Sequence, residues 1–342
     1  MHDITLGSTG ITVVQNCFGA LPIQRRDKET AVKILRRAYE GGMRLFDTAR
    51  AYTDSEEKLG EALKIYPRDS YYITTKTTAK TPEGFWKDLE TSLEKLQTSY
   101  IDVYQFHMVK QCWKPGDGSG MYECMEEAKK QGKIRHIGVT THLVQIAEEI
   151  IESGLYETLQ YPMSYISLDR EIDLVGKCKE KNMGFICMKS LAGGLLTNTE
   201  AMTAFVSQFD NAAPIWGIQK EEELEEWLSY MDKEVSMTEE IRSFIEKEKK
   251  ELSGDFCRGC GYCLPCPVDI EINNSARMSQ LIRRSPSEGY LSPAWQEKMM
   301  RIESCLHCYQ CALRCPYGLD TPKLLEKNLE DYKKILSGEV KI

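Results

Sequence analysis

Along the first two thirds of the chain, short apolar and β-branched runs alternate with longer stretches whose apolar positions recur every three or four residues. The short runs lie at Asn16–Ala20, Arg44–Thr48, Tyr71–Lys76, Ile101–His107, Arg135–Thr140, Thr158–Tyr161, Gly184–Met188 and Ala213–Gly217. Their length and composition predict buried strands. Between them, Thr30–Tyr39, Glu57–Leu63, Glu83–Leu96, Met121–Lys130 and Leu143–Ile151 carry the spacing of amphipathic helices. Regular alternation of strand and helix predicts parallel strands joined by helical crossovers. Eight such units most simply close into a (β/α)8 TIM barrel, an α/β fold. An open, doubly wound sheet is the competing arrangement, but no G-x-G-x-x-G turn follows the first strand. Ahead of the first unit, Ile4–Val14 sets Gly7-Ser8-Thr9-Gly10 between β-formers. That pattern predicts a short hairpin able to plug the barrel floor.

The pattern changes after the eighth unit. Thr238–Leu252 reads as a charged helix, and Ser253-Gly254-Asp255 breaks it. The expected organisation is a barrel over 1–235, a connecting helix over 236–254 and a small, mainly helical domain over 255–342. Within the last, Asn273–Arg284 and Ser292–Ile302 read as two helices. A chain of 342 residues with 42% hydrophobic content is large enough for one big core and a small appendix. The net charge of −8 and the lack of a basic run argue against nucleic acid as a partner. The longest apolar stretches are strand length, so no membrane span is expected. Met1–Ala20 shows no basic region followed by an apolar core, and a cytoplasmic location is expected.

Chemistry enters with the cysteines. Eight of thirteen fall in two runs, Cys257-Cys260-Cys263-Cys266-Pro267 and Cys305-Cys308-Cys311-Cys315-Pro316. Three thiolates at C-x2-C-x2-C wrap one iron-sulfur cubane in a tight loop while a fourth arrives from elsewhere. Structural zinc also uses C-x2-C pairs, but its closed four-ligand site needs no third or fourth cysteine at such spacing. The other five, Cys17, Cys112, Cys124, Cys178 and Cys187, are scattered as in a reducing compartment, which argues against a disulfide framework. The second run, C-x2-C-x2-C-x3-C-P, resembles the bacterial two-cluster ferredoxin pattern, and the first is one residue shorter before its last cysteine. The resemblance implies two 4Fe-4S clusters in a ferredoxin-like domain. It also implies crossed ligation, with Cys257, Cys260 and Cys263 joined by Cys315, and Cys305, Cys308 and Cys311 joined by Cys266.

Active sites of (β/α)8 barrels sit at the C-terminal ends of the strands. Four polar residues stand there: Asp47 in Leu45-Phe46-Asp47-Thr48-Ala49, Tyr52 just beyond, Lys76 ending Ile73-Thr74-Thr75-Lys76, and His107 ending Val103-Tyr104-Gln105-Phe106-His107. Taken singly, each has a bland use as a helix cap or a satisfied core tip. Together they suit carbonyl reduction, in which hydride addition leaves an alkoxide that must receive a proton. Tyr52 is the natural donor, Lys76 is expected to lower its pKa, Asp47 to hold Lys76, and His107 to orient the substrate oxygen.

With Leu6-Gly7-Ser8-Thr9-Gly10, Phe46-Asp47-Thr48-Ala49, Tyr52, Ser55-Glu56, Leu59-Gly60, Lys76, His107 and Ile137-Gly138-Val139 in order, residues 1–235 resemble the aldo-keto reductase superfamily. The resemblance implies an oxidoreductase reducing an aldehyde or ketone with hydride from NADPH or NADH. It makes Asp47, Tyr52, Lys76 and His107 the catalytic tetrad and Gln160 the glutamine under the nicotinamide ring. Met188, Lys189, Ser190 and Leu191 after the seventh barrel strand, and Gly217 and Gln219 after the eighth, are the further coenzyme positions. Met188 replaces an aromatic common in the family. Glu221-Glu222-Glu223 stand where NADPH users carry cations, which opposes a 2′-phosphate. The same three acids also suit a helix N-terminus. A ferredoxin or flavoprotein is the expected redox partner. The alternative is an electron-transfer subunit whose barrel uses flavin or a partner-supplied electron source, or serves as a docking scaffold.

Overall fold

The computed structural model describes residues 1–252, 257–284 and 288–341, so the expected break at 253–255 lies outside the described residues. The chain forms two compact units, one of Met1–Ser190 with Glu200–Ile241 and one of Leu191–Thr199 with Arg242–Ile342.

In the first unit, β1 (Asp3–Thr5) and β2 (Thr12–Val14) make an antiparallel hairpin. The barrel strands are β3 (Cys17–Gly19), β4 (Leu45–Asp47), β5 (Tyr72–Thr77), β6 (Ile101–Phe106), β7 (Ile134–Thr140), β8 (Thr158–Pro162), β9 (Gly184–Met188) and β10 (Ala212–Gly217). They close in sequence order, with β10 pairing β3. Between them run α1 (Lys28–Glu40), α2 (Ser55–Leu63), α3 (Pro82–Leu96), α4 (Met121–Lys130), α5 (Val144–Ser153), α6 (Asp169–Glu180), α7 (Thr199–Val206) and α8 (Glu221–Leu228). Local chemistry sets several helix starts: Asp27 caps α1 by accepting from the Thr30 N–H, and Thr81 caps α3 ahead of Pro82.

The hairpin does plug the barrel. Ile4, Leu6, Ile11 and Val13 pack with Cys17, Leu45, Val103, Ile186, Ala213 and Ile215 in one buried cluster. Gly7 makes the plug fit, because a Cβ there would fall 2.4 Å from the Asn182 carbonyl and its φ is +49°. Since side chains alternate across a strand, the cluster also fixes what faces inward one layer higher. Two residues beyond Leu45 stands Asp47, beyond Val103 Gln105, beyond Ile186 Met188, and beyond Ile215 Gly217. The barrel floor is dry and the layer above it is polar.

The second unit is helical: most of α9 (Glu239–Glu251), then α10 (Ile272–Ser275), α11 (Met278–Arg284), α12 (Pro293–Met300), α13 (Gln310–Leu313) and α14 (Thr321–Leu336). The single helix expected over Asn273–Arg284 is broken at Ala276-Arg277. The cause is Asn328 of α14, whose side chain is buried against the break. Its Nδ2 donates to the Ala276 carbonyl at 3.1 Å and its Oδ1 accepts from the Ser279 N–H at 2.9 Å. One amide thus satisfies the end of α10 and the start of α11, which no local periodicity reveals. Among the described residues, no helix is long and apolar enough to cross a membrane.

Asn328→Ala leaves both backbone groups without their partner and should lower stability by about 2–6 kcal/mol, at about 1–3 kcal/mol for each buried polar group stranded. Denaturant unfolding followed by helical circular dichroism measures it; a change within about 0.5 kcal/mol, the scatter of neutral surface changes, would show that the amide does not hold the break.

Candidate active site

The polar layer above the plug is held by strand register. Asp47 pairs with Thr74 between β4 and β5, and Lys76 pairs with Gln105 between β5 and β6. Lys76 Nζ donates to both Asp47 oxygens, at 2.6 and 2.7 Å, and to the Thr48 carbonyl at 2.7 Å. Thr74 Oγ1 donates to Asp47 Oδ1 at 2.5 Å. Lys76 and Asp47 are 1% and 2% exposed, so the pair lies out of water and all three ammonium protons have acceptors.

Tyr52 sits on the turn between β4 and α2. Its N–H donates to the Ala49 carbonyl, and its own carbonyl accepts from the Ser55 N–H. The turn is pinned from beneath. Ser55 Oγ donates to the Ala20 carbonyl, Arg50 is ion-paired with buried Glu56, and Lys58 Nζ reaches the Arg26 carbonyl at 2.6 Å. The half-buried phenol ring lies edge-on to the His107 ring, with centroids 5.8 Å apart, and 5.5 Å from Lys76 Nζ. The structure therefore brings Asp47, Tyr52, Lys76 and His107 together at one end of the barrel.

The electrostatics differ from the sequence expectation in one respect. Burial pushes the Tyr52 phenol up, and the Asp47 carboxylate adds to the rise. The expected lowering by Lys76 is not found, because the ammonium is neutralised by Asp47. Burial likewise pulls Lys76 down, against the pull of Asp47. His107 is pushed down to about 3, first by burial and then by the charges of Lys76 and Lys189. Its Nδ1 meets no partner among the described residues.

Two residues escaped the sequence reading. Gln105 Nε2 donates to Gln160 Oε1 at 3.0 Å, so the Gln160 amide is oriented from the Lys76 side of the layer. Gly138 between them makes room: a Cβ there would fall 2.4 Å from Thr158 Oγ1 and 2.8 Å from Gln105 Cγ. His142, just past β7, is buried and held well below the usual histidine range by burial, Lys189 and His107. The inward parity of Gln105 was available in the sequence; His142 carried no pattern of its own.

The remaining coenzyme positions divide. Met188 is partly buried against the barrel cluster, Lys189 has φ +56°, and Ser190 is buried. Leu191 belongs to the second unit. Gly217 is exposed at the end of β10. The Gln219 carbonyl accepts from Arg26 Nε at 2.6 Å, and the N–H groups of Gln219 and Lys220 donate to Glu223 Oε2 at 2.9 and 3.1 Å. The Glu223 carboxylate thus accepts from the two N–H groups that lead into α8, as the third helical residue of a capping box does.

In the second unit the cysteines surround two cavities. Cys257, Cys260, Cys263 and Cys315 line one, walled by Ile272, Ala276 and Leu324. Cys266, Cys305, Cys308 and Cys311 line another, which Cys263 also borders. Among the described residues, no three Cys, His, Asp or Glu side chains converge on one ion-sized position. Four thiols lining each cavity are donors of the kind that hold a cluster of iron and sulfide. Cys308 is exposed, whereas Cys263 and Cys311 are buried.

By architecture the molecule is a closed, plugged (β/α)8 barrel joined to a helical cysteine-rich unit of redox type. The aldo/keto reductase family model matches residues 16–250, and a 4Fe-4S dicluster domain model matches residues 256–320. The chain belongs to the aldo/keto reductase family and carries a 4Fe-4S domain in the same polypeptide. It is 31% identical over 211 residues to the L-galactose dehydrogenase of Arabidopsis thaliana, covering 56% of this chain and 66% of the relative. It is 36% identical over 177 residues to the D-galacturonate reductase of Fragaria ananassa, covering 44% and 54%. It is 26% identical over 233 residues to the NADH-specific methylglyoxal reductase of Escherichia coli, covering 58% and 70%. The chain thus spans about half to two thirds of the curated relatives it matches. An aldo/keto reductase from Klebsiella pneumoniae, solved with NADP and acetate, superposes with a TM-score of 0.62 at 20% identity, over 73% of this chain and 96% of that one. This likeness concerns the fold.

The depressed His107 pKa has a signed consequence. Between about pH 6.5 and 3 the unfolded chain binds a proton that the folded ring refuses, so stability is lost as pH falls through that window. An NMR titration should find the His107 ring neutral from pH 8 down to about 5, the range in which an ordinary histidine titrates. Protonation near 6.5 would contradict the buried site.

Proposed function

We propose that this chain is an NADH-linked carbonyl reductase that exchanges single electrons with a partner through two 4Fe-4S clusters. The observation that carries the barrel half is the buried Lys76–Asp47 pair beside Tyr52 and His107. The substrate is an aldehyde or ketone, and a dihydronicotinamide held beside Gln160 would supply the hydride that its carbonyl carbon accepts. Neutral His107 donates a hydrogen bond that holds the carbonyl oxygen without giving up charge to it. Tyr52, kept protonated by burial, transfers its hydroxyl proton to that oxygen as the alkoxide forms. Lys76 offsets the phenolate left on Tyr52, and Asp47 keeps the ammonium in place. The barrel wall and plug exclude water from beneath the pair.

At the coenzyme's nicotinamide end the residues fit: Gln160, oriented by Gln105, with Met188, Lys189 and Ser190 of the same unit, would hold it. At the other end, with Gly217 and Gln219, a 2′-phosphate does not fit, because Glu223 already fills the Gln219 and Lys220 amides. That favours NADH, the coenzyme for which the Escherichia coli methylglyoxal reductase is named as specific. Cys257, Cys260, Cys263 and Cys315 would hold one cluster, and Cys266, Cys305, Cys308 and Cys311 the other. Exposed Cys308, flanked by exposed Leu306 and Tyr309, supports electron exchange with a ferredoxin or flavoprotein.

Tyr52→Phe should slow aldehyde reduction by about 10²- to 10⁴-fold, the usual worth of a positioned general acid, with cluster absorbance unchanged. Retained turnover would remove Tyr52 from the mechanism. In fluorescence titrations of anaerobically purified protein, NADH should bind more tightly than NADPH. Equal affinity would show that Glu223 does not discriminate, and binding of neither would sink the nicotinamide reading.

A further inference from the structure

Arg277 occupies the break between α10 and α11 and is 8% exposed. Nη1 donates to the Ala192 carbonyl at 3.1 Å and Nη2 to Asn274 Oδ1 at 3.3 Å, both neutral acceptors. Its Nε–H meets no acceptor among the described residues. Burial disfavours the charged guanidinium, and the groups that counter this are Cys257, Tyr290 and Cys260, with no carboxylate among them. A buried cation is strongly destabilising unless an anion stands near it. Here the groups that would supply that anion are the sulfurs of Cys257 and Cys260, which become thiolates on binding iron.

The surrounding backbone is cleared for this side chain. A Cβ on Gly259 would fall 2.6 Å from Arg277 Cζ, and one on Gly193 would fall 2.8 Å from Nη1. Gly259 lies between Cys257 and Cys260, and its N–H donates to Cys257 Sγ at 3.4 Å. The guanidinium therefore lies against the loop that carries two of the thiols lining the cavity of Cys257, Cys260, Cys263 and Cys315.

We propose that Arg277 is the fixed counter-charge of the cluster held by Cys257, Cys260, Cys263 and Cys315 and raises its reduction potential. The proposal rests on reading those thiols as cluster ligands. A cluster bound by four thiolates is anionic, and one electron from an external donor adds a further negative charge with no bond made or broken. Arg277 keeps its proton throughout, so its attraction is stronger for the reduced form. It acts as a positioning and tuning residue that touches no substrate. The cavity of Cys257, Cys260, Cys263 and Cys315 is itself lined by a second cation, Arg258, which lies over the Tyr317 ring, whereas the lining of the other cavity includes no lysine or arginine.

The test is an EPR-monitored redox titration of the full chain, purified anaerobically, with iron and sulfide assays. The parent should carry about eight of each, from two cubanes. Arg277→Gln should keep its iron while one midpoint moves negative by about 59 mV, a tenfold change in a one-electron equilibrium, and the other midpoint stays put. Arg277→Lys, which keeps the charge, should shift that midpoint by less than half as much. Full iron with both midpoints unchanged in Arg277→Gln overturns the proposal. Should Arg277→Gln lose iron, Arg277→Lys decides: full iron and the parent midpoint support the counter-charge, whereas the full negative shift, or loss of iron here too, assigns Arg277 to packing alone. A parent chain holding zinc and no iron would instead sink the ligand reading beneath it.

Discussion

A lysine and an aspartate held out of water inside a barrel are the constraint around which the first unit is arranged. Taking both charges out of solvent costs several kcal/mol each, and only close, fully hydrogen-bonded contact offsets that. The contact is supplied by register: β4 and β5 align Asp47 with Thr74, and Lys76 reaches back across that pairing to both carboxylate oxygens and the Thr48 carbonyl. A slip of one residue would turn Asp47 outward and leave Lys76 buried alone. The plug of Ile4, Leu6, Ile11 and Val13 is part of the same device, because it seals the floor on which the pair rests.

The same rule recurs in the second unit in a different form. Arg277 is buried as Lys76 is, but the ionisable groups that answer it are Cys257, Tyr290 and Cys260, with no carboxylate among them. In the barrel the protein supplies both partners of the pair; at Arg277 it supplies one, and the thiols with what they bind supply the other. The two units also differ in electron count. On the proposed reading, hydride chemistry beside Tyr52 would move two electrons together, whereas each cluster would pass one at a time. On the proposed reading, two clusters in one chain hold as many electrons as one hydride.

Much of this was legible in the chain. Each barrel strand lies within about one residue of its apolar run, since a strand buried on both faces has little freedom in where it begins. The meeting of Asp47, Tyr52, Lys76 and His107 was legible because polar side chains at one end of a barrel stand where those runs end, so Asp47, Lys76 and His107 could be read as terminal letters. Gln105 sits inside such a run and was passed over, although its place two residues beyond inward-facing Val103 fixes its direction. The split at Ala276-Arg277 depends on Asn328, more than fifty positions away in the chain, and Arg277 depends on Gly193 and Gly259 from two further segments. Such long-range satisfaction of polar groups leaves no periodic trace.

The expectation that Lys76 would lower the Tyr52 pKa failed for a reason that sharpens the mechanism. An ammonium bonded to a carboxylate is a dipole, and at the Tyr52 ring its positive end is opposed by Asp47. A phenol raised by burial carries its proton in the resting site but is the weaker acid for it, so the proton needs help to leave. On the proposed reading, alcohol oxidation would have to begin from the phenolate, which is scarce near neutral pH. Once the proton has left Tyr52, Lys76 would face two anions, and its attraction to the new one would stabilise a charge that forms only as the reaction proceeds. The buried pair thus acts little on the resting phenol and most strongly on the phenolate.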